Sequence, residues 1–153
     1  MIKIINKNSI KPKHQNEHQP YEYYKYEVTK GNEENQCQVS IYEIPPQKSN
    51  YPYHYHLKSE EIFYVISGNG IIETPNGDRP IKAGDVIVCP SSPNGAHKIT
   101  NASQTEMLVY LDCDTISYPD IAYYPKSKKV GILLNGENTF YKADSAVPYY
   151  DGE

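Results

Sequence analysis

Turn-forming residues interrupt this chain roughly every ten positions, and that rhythm constrains its fold more than any other feature. The breaks fall at Gly31-Asn32, Pro45-Pro46, Gly68-Asn69-Gly70, Pro75-Asn76-Gly77-Asp78, Ala83-Gly84-Asp85, 90–95 and 101–104. Between them lie short β-prone stretches at 21–28, 37–44, 53–56, 62–67, 70–74, 86–89, 97–100 and 107–112. No long segment carries helical periodicity. Regular short strands of this kind predict an antiparallel sandwich or barrel. Pro75-Asn76-Gly77-Asp78 reads as a tight turn, because Asn and Gly tolerate positive φ.

A length of 153 residues fits one domain. Residues 1–20 are polar and read as an N-terminal arm. Residues 21–112 read as the barrel. Residues 113–153 read as an irregular C-terminal extension packing on it, with short extended pieces at 130–134 and 139–141. In Ile62-Phe63-Tyr64-Val65-Ile66 nearly every residue is apolar. If Glu61 points inward, Phe63 and Val65 share its face, and Ile62, Tyr64 and Ile66 form an apolar outer face needing cover. That face and the arm predict a homodimer.

The formal net charge is −4, and Arg79 is the only arginine. Neither favours nucleic acid or an arginine-based phosphate clamp. No apolar run is long enough to span a bilayer, and the N-terminus lacks the apolar core of a secretory signal. Cys37, Cys89 and Cys113 form no C-x-x-C pair and read as reduced thiols in a cytoplasm. Aromatic content is 16 Tyr against two Phe and no Trp. An AT-rich genome would give that bias; so would a partly wet cavity or subunit interface.

Four side chains carry the chemistry. His54 and His56 sit two apart between tyrosines, so on a strand both imidazoles point to one space. Glu61 is at an odd offset, and the intervening polar stretch 57–60 can turn the chain to bring it back. His97 follows a Pro/Gly/Asn turn. Three imidazoles and a carboxylate suit a divalent transition metal: Mn, Fe, Ni, Zn or Cu. An isolated H-x-H would instead read as core histidines bonded to carbonyls. Glu60 competes with Glu61 for the carboxylate role.

These positions resemble the cupin motifs. The first motif is written G-x5-H-x-H-x(3,4)-E-x6-G, and His54, His56, Glu61 and Gly68 match its last four fixed positions. Lys48 stands where its first Gly would be. The seven-residue step to Gly68 favours Glu61 over Glu60. The second motif is G-x5-P-x-G-x2-H-x3-N, matched in order by Gly84, Pro90, His97 and Asn101. The segment from Pro90 to His97 is two residues longer than the pattern, and Gly95 stands two positions before the His instead of three. The loop over the site is therefore expected to differ. The resemblance covers roughly residues 38–112. It implies an all-β double-stranded β-helix, the jelly-roll barrel, with a metal held inside one end by His54, His56, Glu61 and His97. The stretch 121–131 is also similar to tails on some bacterial single-domain cupins, some of them sugar-phosphate isomerase-like.

Three functions fit. The first is a metal-dependent isomerase or decarboxylase acting on a small oxygenated substrate such as a sugar or keto acid. The second is an Fe- or Cu-dependent dioxygenase. The third is a non-enzymatic cupin that binds a small ligand or uses the ion as a staple. An octahedral ion would keep free positions for a substrate oxygen, and a tetrahedral one would not. No nucleophile motif, phosphate-cradling loop or dinucleotide fingerprint is present. The scarcity of arginine disfavours substrates with several anionic groups.

Other residues carry plainer expectations. Gly68, Gly84 and Gly95 read as positive-φ turn residues. Asn101 reads as a turn former, and Cys89 as a small buried hydrophobe. His14 and His18 would share a face only on a helix, which their Pro- and Gln-rich surroundings disfavour. Lys126, Lys128 and Lys129 read as a solvated charged face rather than a phosphate site. Tyr53, Phe63 and Tyr110 are candidates to line the ligand pocket.

Overall fold

The computed structural model describes residues 2–29 and 35–153. The turn expected at Gly31-Asn32 lies outside them. Thirteen strands follow in chain order: β1 Lys13–His18, β2 Tyr21–Glu27, β3 Cys37–Ile44, β4 Tyr55–His56, β5 Glu61–Ser67, β6 Asn69–Thr74, β7 Gly77–Lys82, β8 Val86–Cys89, β9 Lys98–Asn101, β10 Leu108–Thr115, β11 Asp120–Tyr124, β12 Lys129–Leu133 and β13 Asn138–Lys142. Six strands form one sheet in the order β1-β2-β3-β10-β5-β8. A three-stranded sheet has the order β7-β6-β9, and a four-stranded one β13-β12-β11-β4. The architecture is the all-β double-stranded β-helix that the motifs imply.

Period-two alternation places the core. On β3, Ser40, Tyr42 and Ile44 face inward; on β10, Leu108, Tyr110 and Asp112 do. Their register pairs Leu108 with Ile44, Tyr110 with Tyr42 and Asp112 with Ser40. Phe63 and Val65 of β5 complete that layer, with Ile72, Ile81 and Ile99 from the smaller sheet. The outer face of β5 is as expected. Ile62, Tyr64 and Ile66 are about two-fifths exposed, and Val86 and Val88 on the neighbouring edge strand β8 are more open still.

Three segments depart from the sequence reading. Residues 13–18, placed in the arm, form β1. All six are polar, so the strand has no apolar alternation to betray it; backbone pairing with β2 and the stack of His14 on Tyr24 hold it. β7 contains Pro80 and falls in no predicted strand, its first two residues reading as a turn; it is the outer strand of its sheet, where a missing N–H is tolerated. The C-terminal extension, expected to be irregular, is a meander of three strands. It docks on β4 through Ala122 opposite His56 and Tyr123 opposite Tyr55.

Two glycines hold tight crossings. Gly68 has φ +86°, and a Cβ there would lie 2.4 Å from the Met107 carbonyl oxygen. Gly95 differs from expectation: a Cβ would fall 2.0 Å from the Pro90 carbonyl oxygen, so close approach rather than positive φ requires glycine. This contact folds the lengthened loop before His97 into a 3-10 turn at Pro93–Gly95. Asn101 is fully buried and staples a loop. Its amide donates to the carbonyls of Ile44 and Glu106, and its oxygen accepts from the Ser103 N–H.

Candidate metal centre

The fold brings His54, His56, Glu61 and His97 to one end of the barrel. His54 and His97 lie opposite each other, joined by two backbone hydrogen bonds of 3.1 and 2.9 Å. Glu61 starts β5 with its side chain turned inward, whereas Glu60 is exposed and carries no role here. Glu61 Oε1 is 3.9 Å from Nε2 of both His54 and His56, and Oε2 is 3.5 Å from His97 Nε2. Ligand atoms of His54, His56 and Glu61 all lie within 4.8 Å of one another; His97 stands outside that group and meets it through its 3.5 Å contact with Glu61. Donors around an ion with bonds of about 2.1 Å stand roughly 3–4 Å apart, so this spacing fits one cation.

The histidines are oriented for that task. His54 Nδ1 donates to the Pro52 carbonyl and His97 Nδ1 to the Gly95 carbonyl, each at 2.9 Å. His56 Nδ1 donates to Asp120 Oδ2 at 2.8 Å. All three partners can only accept, so the proton of each neutral ring sits on Nδ1 and the Nε2 lone pair faces Glu61. Burial holds the His54 imidazolium pKa down at about 3, with the neighbouring His97 and His56 adding to the effect. Burial likewise lowers His97 to about 4, against the opposing bond to Gly95. Burial raises the Glu61 carboxyl well above the ordinary range, and Asp114 and Asp120 push it further. Neutral imidazoles next to an acid that resists ionisation form a site that a divalent cation would relieve.

Asp120 had no signal in the sequence. It is 2% exposed and accepts from His56 Nδ1 and from the N–H groups of Lys58, Ser59 and Ile121. Burial alone would raise its carboxyl, but the bonds from Ser59 and His56 outweigh that and bring it down. The C-terminal meander thus supplies the acceptor that fixes His56. It also supplies Tyr124, whose ring stacks on His54 at 5.5 Å.

A cavity of about 350 Å3 opens onto His54, His56 and Glu61. Tyr42, Tyr51 and Tyr124 form much of its wall, so the tyrosine richness of the chain serves a partly polar cavity here. The three aromatic candidates from sequence lie elsewhere. Phe63 packs edge-on behind His97 at 5.2 Å, Tyr110 is buried beneath Tyr42, and the Tyr53 ring lies under the Lys126 ammonium. Asp112 and Asp114 also face this cavity. Only their two-residue spacing at the end of an apolar strand hinted at that.

The remaining expectations sort simply. Cys89 is buried, and burial pushes its thiol up to about 12, as suits an inert core residue. His14 and His18 lie on extended β1, where four residues span about 13 Å, too far to share an ion. Lys126 pairs with Glu73, and Lys129 lies 4.4 Å over the Tyr124 ring. No helix among the described residues is long and apolar enough to cross a membrane.

Comparison with known proteins agrees with this geometry. Residues 40–113 match the cupin domain family, and the chain belongs to the cupin superfamily. It is 35% identical over 80 residues to an uncharacterized protein of Methanocaldococcus jannaschii, covering 52% of this chain and 59% of that one. It is 36% identical over 62 residues to an oxalate-binding protein of Thermotoga maritima, covering 40% of this chain and 50% of that one. The chain thus spans between half and three-fifths of the curated relatives it matches. Among solved structures, a proposed sugar phosphate isomerase from Acidithiobacillus ferrooxidans superposes with a TM-score of 0.80 at 26% identity. The match covers 92% of this chain and 90% of that one.

Proposed function

We propose that this chain binds one divalent transition metal through His54, His56, Glu61 and His97, and uses it on a small oxygenated substrate in an isomerase- or decarboxylase-type reaction. One observation carries the reading: three Nδ1–H groups are tied to acceptors, so three Nε2 atoms face one buried carboxylate within 3.5–3.9 Å. A bound ion would supply Lewis acidity to a substrate oxygen in the cavity. The protein's part is to hold the imidazoles neutral, fix their tautomers and seat the substrate against the tyrosine wall. Likeness to the Acidithiobacillus protein over most of both chains supports the isomerase reading. Likeness to the oxalate-binding protein supports a second one, metal-assisted binding without turnover.

Elemental analysis of the protein purified without an affinity tag tests the site. Close to one transition-metal ion per chain is expected, and none in the His54→Ala/His56→Ala double variant. Equal metal in both proteins would refute it. Turnover of simple aldoses and ketoses, followed by NMR, separates catalysis from binding alone. The exposed apolar face formed by Ile62, Tyr64, Ile66, Val86 and Val88 further supports a homodimer, and a monomeric mass by light scattering would exclude one.

A further inference from the structure

The cavity beside the candidate centre has a second wall that metal binding does not use. Asp112 and Asp114 stand two apart on β10 and project to the same inner face. Asp112 lies opposite Ser40, and Asp114 opposite both Gln38 on β3 and Glu61 on β5. Lys25, Gln38, Asp112 and Asp114 line the same cavity as His54, His56 and Glu61. Ser40 is 1% exposed and Asp112 6%. Yet Oγ of Ser40 and Oδ1 of each aspartate are buried with no hydrogen-bond partner among the described residues. The two carboxyls meet each other through a side-chain hydrogen bond, and buried polar atoms are nearly always paired, so the open Oδ1 atoms on the cavity side can take a further partner from a ligand.

The chemistry of the wall narrows what that partner is. A carboxylate oxygen accepts, and the Gln38 amide both donates and accepts. A cation held at Glu61 would leave the Asp112 and Asp114 end of the cavity, with Lys25 its one ammonium, as the end that repels a second carboxylate. The only arginine, Arg79, lies on a different cleft between β7 and β8. Alcohols are among the neutral groups that donate to a carboxylate and accept from an amide N–H, and they are the ones an oxygenated substrate carries.

We propose that Asp112 and Asp114, with Gln38, form a hydroxyl-binding wall that selects the neutral polyhydroxy portion of a sugar-like substrate and turns away small dicarboxylates. The proposal deepens the function proposed above and rests on the same cavity serving as the substrate site. It favours the sugar-directed reading over a dicarboxylate-directed one. A site whose buried groups need a substrate hydroxyl discriminates strongly against analogues that lack it.

Saturation-transfer NMR on the full chain, zinc-loaded and metal-free, tests this with ribitol and succinate as probes. Wild type should give a ribitol signal and no succinate signal. The Asp112→Asn/Asp114→Asn variant should bind ribitol at least tenfold more weakly and gain binding of succinate. Gln38→Ala should weaken ribitol about threefold, and it decides the matter should the double variant fail to fold. Absence of ribitol binding to wild type, unchanged ribitol affinity in the variants, or preference of wild type for succinate would each overturn the proposal. Zinc content, measured on the same samples, reports separately on the metal site. A chain that binds ribitol but no zinc would sink the metal reading and leave the wall standing.

Discussion

The two walls of the cavity treat their polar atoms in opposite ways. On the histidine side, every Nδ1–H has an acceptor, and the one carboxylate behind them, Asp120, takes four donors. On the aspartate side, three oxygens are buried without partners among the described residues, and burial first, with repulsion from and a hydrogen bond to Asp114 added, pushes the Asp112 carboxyl well above its ordinary range. Each side gives up stability in the free chain, but in a different way. The histidine wall is preorganised: its own hydrogen bonds hold the geometry that a cation needs. The aspartate wall is incomplete, and donors from a ligand would finish it. A site built from both kinds would bind its ion independently of substrate and its substrate by filling unmet hydrogen bonds.

That contrast can be broken at several points. The largest effect is expected at Asp120. Asp120→Ala should lower metal affinity about 10–100-fold, because His56 loses the acceptor that orients it. Competition with a chromogenic chelator reads this directly. An unchanged affinity would mean that strand geometry alone orients His56. Metal affinity should respond far less to Asp112→Asn, since that residue serves the other wall.

The second effect is a pH dependence. In the metal-free chain the His54 pKa is held at about 3, below the ordinary value of 6.5. Between those values the unfolded chain takes up a proton that the folded chain refuses. Wild type therefore loses stability relative to His54→Gln as pH falls from about 6.5 toward 3, by up to about 1.4 kcal/mol per pH unit. Urea unfolding of both proteins at pH 7.5 and pH 5 measures the change. A constant difference between them would show that His54 is not desolvated.

The smallest effect is on the aspartate wall. Because burial raises the Asp112 carboxyl in the folded state, with Asp114 adding to it, the unfolded chain gives up this proton more readily and the group destabilises the metal-free protein at neutral pH. Asp112→Asn should raise Tm at pH 7 by about 2–4 °C for each kcal/mol relieved, and the gain should shrink as pH falls through the raised pKa. Calorimetry reads it. A drop in Tm at pH 7 would mean that the carboxylate has a partner after all and that the walls differ less than their hydrogen bonds indicate.

Much of the barrel was legible because its strands announce themselves. The stretches 37–44 and 86–89 coincide with β3 and β8, and the inward turn of Phe63 and Val65 follows from the position of Glu61. Polar β1, proline-bearing β7 and β11 were not legible, since edge strands and strands held by pairing rather than by a buried stripe show no apolar period, whereas β12 and β13 coincide with the extended pieces read at 130–134 and 139–141. At the site, the four candidate ligands were legible from their spacing. Asp120, Asp112 and Ser40 were not, nor was Tyr124. Each matters through what stands across from it on another strand, and register between distant strands is not written in local composition.

By itself the sequence determined a short-stranded β barrel and four residues suited to one metal, because period-two alternation and ligand spacing are properties of a single strand and its next turn. Tertiary structure alone decided that the C-terminal meander would hold His56 in place, and that two aspartates would share an inner face beside the metal candidates. Those outcomes depend on which strands lie side by side, and on the loss of water that follows when they do.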